Sequence, residues 1–191
     1  SLQVTAPKGR PQWNREEIDA HLAGIEDKSP VKDVYSLTPM QSGMLFHHMM
    51  DPTSAAYIQQ FSYTLSGEPD IPVLERTFRE IIKKYDILRT VFIYRDVDVP
   101  FQVVLEKRDW QITYEDISDK GVNGVGKFLG KYKQDDRLRG FDLSRDVPLR
   151  IAIFKTGPGL FKLFWTSHHI IIDGWCAGIL FRELMQHYYA L

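Results

Sequence analysis

Two adjacent histidines, His168 and His169, open the stretch HHIIIDGWC and are the residues of this sequence best suited to chemistry. Three branched apolar residues follow them, and then come Asp173 and Gly174. Histidine, with an ordinary pKa of about 6.5, can take up or release a proton at neutral pH. The stretch therefore admits three interpretations: a metal site, a catalytic base with its support, or the end of a core strand.

Strand geometry disfavours the metal site. Successive side chains of a strand point to opposite faces, so a strand that continues through His169 keeps the two imidazoles from binding one ion. Zinc needs several Cys, His or carboxylate ligands, and no second ligand cluster follows in sequence. Another pair, His47 and His48, lies on a predicted helix with equally poor ligand spacing. We expect no metal site.

Proton transfer competes with a simple core role. Taken alone, His168 fits a core residue hydrogen-bonded to backbone, with Asp173 as the N-cap of the next helix. For the whole stretch we favour proton transfer, because the end of a buried strand before an Asp-Gly turn holds an imidazole in place. Because Gly174 has no side chain, it would let a backbone segment or a substrate pass close by. The N-terminus of the following helix would offer free N–H groups to an anion or a developing oxyanion. Asp173, if buried, needs a cationic or N–H partner.

The composition is that of a folded domain. Among 191 residues, 43% are hydrophobic and 13% aromatic, which is enough for a sizeable core. The 24 basic and 25 acidic residues nearly cancel, so neither nucleic acid nor an anionic membrane is indicated as a partner. No apolar run approaches the roughly 20 residues of a membrane span, and the single cysteine, Cys176, allows no internal disulfide. We expect a soluble, cytoplasmic protein.

The elements that must position the histidines can be read from caps and periodicity. Asn14 is a predicted N-cap, and Thr38 precedes Pro39 with Gln41 as its capping-box partner. The sequence predicts helices over 14–25, 39–50, 71–88, 123–138 and 174–191, strands over 57–65, 89–95, 101–106 and 111–116, and a hairpin over 147–169. This order predicts an α+β fold with a mostly antiparallel or mixed sheet flanked by helices.

Other residues are assigned to structure. Gly124 and Gly126 resemble part of a phosphate-binding loop, but no strand and helix frame them, so a surface helix is expected there. Trp175 is expected to pack in the core. A helix N-terminus could lower the pKa of Cys176, but no base partner is evident, so no catalytic thiol is expected. The expected core also includes Met40, Met44, Leu45 and Phe46.

Four stretches resemble, in order, the motifs of nonribosomal peptide synthetase condensation domains. HHIIIDG is similar to that family's His-His-x-x-x-Asp-Gly signature, whose His-x-x-x-Asp-Gly core also occurs in related acyltransferases. SLTPMQSGMLFH is similar to the first family motif, YDILRTVF to the second, and FDLSRDVPLRIAIF to the strand before the signature. The resemblance covers residues 34–191.

This resemblance implies two chloramphenicol-acetyltransferase-like lobes that form a V around a tunnel. Family domains are about twice as long as the match, so residues 34–191 are expected to be the N-terminal lobe alone. Residues 1–33 are expected to be a linker with a short helix. The implied activity is amide formation between a donor peptidyl thioester and an acceptor aminoacyl thioester.

The same resemblance implies partners and residue roles. The substrates are carried on the 4'-phosphopantetheine arms of donor and acceptor carrier domains, and no cofactor binds the chain directly. Further partners are the domain's own C-terminal lobe and adjacent adenylation or epimerisation domains. His169 is the expected proton acceptor or amine-positioning group, and the Gly174 backbone an oxyanion or positioning contact. His168 and Asp173 are expected to support the site, Asp173 through an ion pair with Arg89.

The sequence also departs from the family pattern and leaves alternatives open. The residues 84–86 read Lys-Tyr-Asp where Arg-His-Glu is common, so no role is transferred to that first arginine. The form PMQSGMLFHH resembles domains whose donor chain ends in a D-residue. An epimerisation domain, a related acyltransferase and a non-catalytic carrier-docking module remain alternatives. A heterocyclisation domain is disfavoured, because those domains replace the histidine pair.

Overall fold

The computed structural model of the chain describes residues 13–25, 29–51 and 54–190. Its helices are α1 (Arg15–Leu22), α2 (Pro39–Met50), α3 (Ile71–Lys84), α4 (Gly121–Arg139) and α5 (Gly174–Ala190). Its strands are β1 (Val31–Ser36), β2 (Ile58–Ser66), β3 (Thr90–Ile93), β4 (Phe101–Leu105), β5 (Thr113–Asp116), β6 (Leu149–Gly157) and β7 (Leu160–His168). The predicted α+β class is confirmed. Within the described ranges, no helix combines the length and apolar character needed to cross a membrane.

Local hydrogen bonds begin the helices where the sequence predicted. Thr38 Oγ1 accepts from the Gln41 N–H and Gln41 Oε1 accepts from the Thr38 N–H, which completes the capping box of α2. The Asn14 side chain caps α1. Helix α3 ends at Lys84, earlier than predicted, because Tyr85 leaves the helical conformation and a 3₁₀ turn follows at Asp86–Arg89.

The strands of the described ranges form two sheets, ordered β1-β4-β3 and β2-β7-β6-β5. Neighbouring strands are antiparallel, except that β5 and β6 are parallel. The hairpin of β6 and β7 was predicted, whereas β1 was not, because its burial does not alternate along the strand. The expected boundary between residues 33 and 34 falls within β1.

Helices cover both faces of the four-stranded sheet, so its interior strand β7 is held in place from both sides. Leu163 and Trp165 belong to the main core, which α3 and α5 also line, whereas Phe164 on the opposite face packs in a separate cluster with Phe128 of α4. Segment 121–139 is therefore a packed helix, as expected, and not a phosphate loop. Because β7 is covered on both sides, its last residue, His168, has a defined position.

Helix α1 covers the outer face of the three-stranded sheet. Ile18 is 4% exposed and shares an apolar cluster with Val91 and Val103. The rings of Trp13 and Phe101 add to this cluster, with 5.1 Å between their centroids. Part of the segment expected to be a linker therefore belongs to a packed layer of the fold.

Replacing Ile18 by alanine should lower the free energy of unfolding by about 2 kcal/mol, because it removes a buried side chain from the cluster beneath α1. Urea denaturation followed by circular dichroism measures the change. Asp19→Ala is the matched control on the exposed face of α1, and it should change the free energy by less than about 0.5 kcal/mol. Equal effects of the two substitutions would contradict the packing of α1 on the sheet.

Candidate active site

The two motif histidines lie at the point where β7 ends and a tight turn begins. The His168 N–H donates to the Pro148 carbonyl at 3.1 Å, and the His169 N–H donates to the Tyr57 carbonyl at 2.8 Å. The Ile171 N–H then donates back to the His168 carbonyl at 3.2 Å and closes the turn. Hydrogen bonds from both neighbouring segments therefore fix the backbone of both histidines.

The His168 imidazole is a buried, neutral support. It is 2% exposed, and its Nδ1 accepts from the Ile170 N–H at 3.1 Å. Its ring centroid lies 5.8 Å from that of His48 and 6.1 Å from that of Tyr57. Burial, with smaller contributions from His48 and His169, lowers the pKa of His168 to about 3. This environment suits the structural role expected for His168.

The His169 imidazole is partly buried and is oriented by its own turn. Its Nδ1 lies 2.8 Å from the Ile172 carbonyl oxygen. Because a carbonyl oxygen only accepts, Nδ1 carries the proton in this bond. In the neutral ring the lone pair is then on Nε2, so the geometry presents Nε2 as a proton acceptor.

The strand ends at His168, so His169 already belongs to the turn. The two imidazoles have different partners, a backbone N–H for His168 and a backbone carbonyl for His169. Among the described residues, no group of three or more His, Cys, Asp or Glu side chains could hold a metal ion.

Asp173 caps α5, as predicted. Its Oδ1 accepts from the Cys176 N–H at 2.7 Å, and its carbonyl accepts from the Ala177 N–H at 2.9 Å. The hydrogen bonds from the Cys176 backbone and thiol hold the pKa of Asp173 below its ordinary value. Gly174 follows as the exposed first residue of α5, and a Cβ at this position would meet nothing within 4 Å.

The predicted ion pair between Asp173 and Arg89 is wrong. Arg89 is 4% exposed and pairs with Asp86, which lies in the same 3₁₀ turn. Its guanidinium also donates to the backbone carbonyls of Ile82, Lys83, Leu105 and Glu106. The arginine therefore joins the end of α3 to the end of β4, and Asp173 lies exposed at the start of α5.

Comparisons with known proteins show the family of this chain. The family model of the condensation domain matches residues 31–191. The chain belongs to the condensation-domain family. It is 42% identical over 164 residues to surfactin synthase subunit 2 of Bacillus subtilis (strain 168), and 40% identical over 177 residues to bacitracin synthase 3 of Bacillus licheniformis. These matches cover 86% and 90% of this chain, but only 5% and 3% of the two synthases.

Solved structures of condensation domains have the same fold. The starter condensation domain of rhizomide synthetase RzmA superposes with a TM-score of 0.75 at 21% identity, over 83% of this chain and 39% of that one. The four-domain nonribosomal peptide synthetase AB3403 matches with a TM-score of 0.72 at 18% identity, over 84% of this chain and 12% of that one. The chain thus spans well under half of a solved condensation domain.

Three residues of this condensation-domain chain, one on α5 and two on α2, depart from their predicted environments. Trp175 was predicted to be core but is 86% exposed, and Met40 and Phe46 are 71% and 58% exposed. The helices α2 and α5 already bury other faces, through Met44, Leu45, Leu180 and Leu184. These three side chains therefore point away from the core of the described chain.

The Cys176 thiol is also different from its predicted state. The hydrogen bond with Asp173 is the main cause that raises the pKa of Cys176 above its ordinary value. The thiol remains protonated at neutral pH and is a weak nucleophile. The expectation that Cys176 is not catalytic agrees with this environment.

Sequence reasoning missed three contacts of the site: Tyr57, His48 and Pro148. Tyr57 supplies the carbonyl that binds the His169 N–H, and its ring also lies 6.1 Å from that of His47. Of these three residues, only His48 could have been noticed in the sequence, because it belongs to the histidine pair on α2. Nothing local in the sequence marks the other two, because the fold brings them to β7.

Stability should depend on pH through His168. Its folded-state pKa lies below its unfolded value, so the unfolded chain binds more protons once the pH falls below about 6.5. The free energy of unfolding should therefore decrease as the pH falls from about 6.5 towards about 3, by up to about 1.4 kcal/mol per pH unit. Urea denaturation at a series of pH values measures this slope.

A substitution identifies the group responsible for this slope. His168→Asn retains an acceptor near the Nδ1 position but does not titrate, so the slope should become smaller. The control is His187→Asn, which removes an exposed histidine in the last turn of α5 and should leave the slope unchanged. A full slope in His168→Asn would contradict the assignment.

Proposed function

We propose that this chain is the N-terminal lobe of a condensation domain and that the complete domain forms amide bonds in nonribosomal peptide synthesis. The hydrogen bond from His169 Nδ1 to the Ile172 carbonyl carries the proposal, because it leaves Nε2 as an oriented proton acceptor. The family match and the order of the four motifs support the reaction class. The bonded turn around His169 supports a fixed site.

The proposed reaction needs a proton acceptor. The amine of an acceptor aminoacyl thioester attacks the carbonyl carbon of a donor thioester, a C–N bond forms, and the C–S bond breaks as the thiol leaves. Nε2 of His169 takes the proton lost by the amine and returns it to the departing sulfur. Such general-base help is typically worth about 10²–10⁴ in rate. Orientation of two tethered substrates supplies a further part of the acceleration.

The backbone of Gly174 is the proposed contact for the oxyanion. The first N–H groups of a helix have no intrahelical acceptor, and the Asp173 carboxylate accepts the one from Cys176. The Gly174 N–H comes first in α5, and the absence of a side chain leaves space around it. A donor carbonyl that gains negative charge could bind there.

The proposed partners follow from the family. Donor and acceptor carrier domains would present both thioesters on 4'-phosphopantetheine arms, and adenylation or epimerisation domains would adjoin the condensation domain in a larger synthetase. The C-terminal lobe would complete the tunnel, and we assign the exposed Trp175 and Ile179 of α5 to its interface. The match to only 39% of a solved condensation domain supports a missing lobe. We infer that this synthetase works in the cytoplasm.

Replacing His169 by alanine in the full-length parent should lower the rate of amide formation by about 10²–10⁴, because the proton acceptor is lost. Mass spectrometry of carrier-bound product after single turnover, with both carriers loaded, measures the rate. The control His187→Ala removes an exposed histidine and should retain the parental rate.

The same assay distinguishes the alternatives. An undiminished rate in His169→Ala would contradict the catalytic assignment. Carrier binding without product in the parent itself would favour a docking module. Inversion of a carrier-bound aminoacyl group, without amide formation, would favour an epimerisation domain.

Gly174→Ala should preserve the fold and lower kcat by about 10-fold or more, because the added methyl group enters open space in this chain but would crowd the proposed oxyanion contact. Thermal melting and single-turnover kinetics of the full-length parent measure the two effects. Gly178→Ala is the matched control, since it lies on the same helix and a Cβ there also meets nothing within 4 Å. Equal kcat values for the two variants would remove Gly174 from the site.

A further inference from the structure

A row of polar side chains crosses the four-stranded sheet close to the turn that contains His168 and His169. Arg150 of β6 and Gln60 of β2 are both cross-strand partners of Thr166 in β7. These three side chains lie on one face of the sheet, because directly paired residues point to the same side. They face α4.

Asp136 of α4 binds this whole row. It is 4% exposed, and its carboxylate accepts from Arg150 Nε at 2.8 Å, Thr166 Oγ1 at 2.6 Å and Gln60 Nε2 at 2.9 Å. One buried carboxylate is therefore bonded to three adjacent strands at once. Charge-assisted hydrogen bonds of this kind are among the stronger ones in proteins.

Arg150 extends the same connection to the end of α4. Its Nη1 donates to the Gly140 carbonyl at 2.6 Å and its Nη2 to the Asp136 carbonyl at 2.9 Å. Its guanidinium also lies 4.0 Å from the ring centroid of Phe141. The pair formed by Asp136 and Arg150 thus holds the last turn of α4 against β6.

The turn that contains His168 and His169 lies two residues further along the same strands. His168 is two residues beyond Thr166, or about 7 Å along β7. Pro148, whose carbonyl binds the His168 N–H, is two residues before Arg150. Tyr57, whose carbonyl binds the His169 N–H, lies three residues before Gln60 on the chain that enters β2. The register at the polar row therefore determines where those carbonyls meet the histidines.

We propose that Asp136 is a positioning residue for His169, acting through the polar row of Gln60, Arg150 and Thr166. This inference rests on the proposed function of His169. Loss of the carboxylate leaves the three strands without their common acceptor, and the turn that orients the imidazole shifts. A displacement of about 1 Å in a catalytic group can cost about 10²-fold in rate.

A double-mutant cycle in the full-length parent tests the proposal. Asp136→Asn should lower kcat of amide formation by about 10-fold or more, with KM for the carrier-bound acceptor changed by less than about 2-fold. In a His169→Ala background the same substitution should lower kcat by less than about 2-fold, because the group that it positions is gone. An equal factor in both backgrounds would show a general structural effect and overturn the proposal.

Controls keep the result interpretable. Asp135→Asn changes the neighbouring carboxylate, which is exposed and pairs with Lys131, and kcat should not change. Thermal melting establishes that each variant is folded. If Asp136→Asn does not fold, Thr166→Val, which removes one bond of the row, takes its place in the same cycle with the same criterion. A His169→Ala variant with the parental rate would refute the proposed function itself. The single variant gives this result, so it is distinct from a failure of the Asp136 proposal, which only the cycle tests.

Discussion

The hydrogen bond from Nδ1 of His169 to the Ile172 carbonyl is the interaction on which the proposed chemistry of this site depends. It selects one ring tautomer and leaves the lone pair on Nε2. Both partners lie in the same turn, so the turn's shape alone sets the bond. That shape in turn depends on the carbonyls of Tyr57 and Pro148, which hold the backbone of the two histidines from neighbouring segments.

The two adjacent histidines have different environments because the strand ends between them. His168 still belongs to β7, is enclosed by rings of other segments, and cannot readily be charged. His169 is the first residue beyond the strand and remains partly exposed. The buried neutral imidazole supports the turn, and its partly exposed neighbour is the proposed proton acceptor.

The acid of the signature is the N-cap of α5, whereas Arg89, its predicted ion-pair partner, pairs with Asp86. Asp173 binds the N–H of Cys176 and thereby begins α5, whereas the proton on His169 Nδ1 goes to a carbonyl. The carboxylate that does organise the strands is Asp136, on the helix at the opposite face of the sheet from α5. Both carboxylates therefore serve the structure, since one begins α5 and the other joins three strands.

Features that depend on neighbouring residues could be predicted from the sequence: the capping box at Thr38, the cap at Asp173, the hairpin before the histidines and the α+β class. The motifs also indicated the family, because motif spacing is a local property. Only the tertiary structure decided that Arg89 pairs with Asp86, that Trp175 is exposed, and that a carboxylate of α4 reaches three strands. These outcomes depend on which distant segments pack together, and that information is not local in the chain.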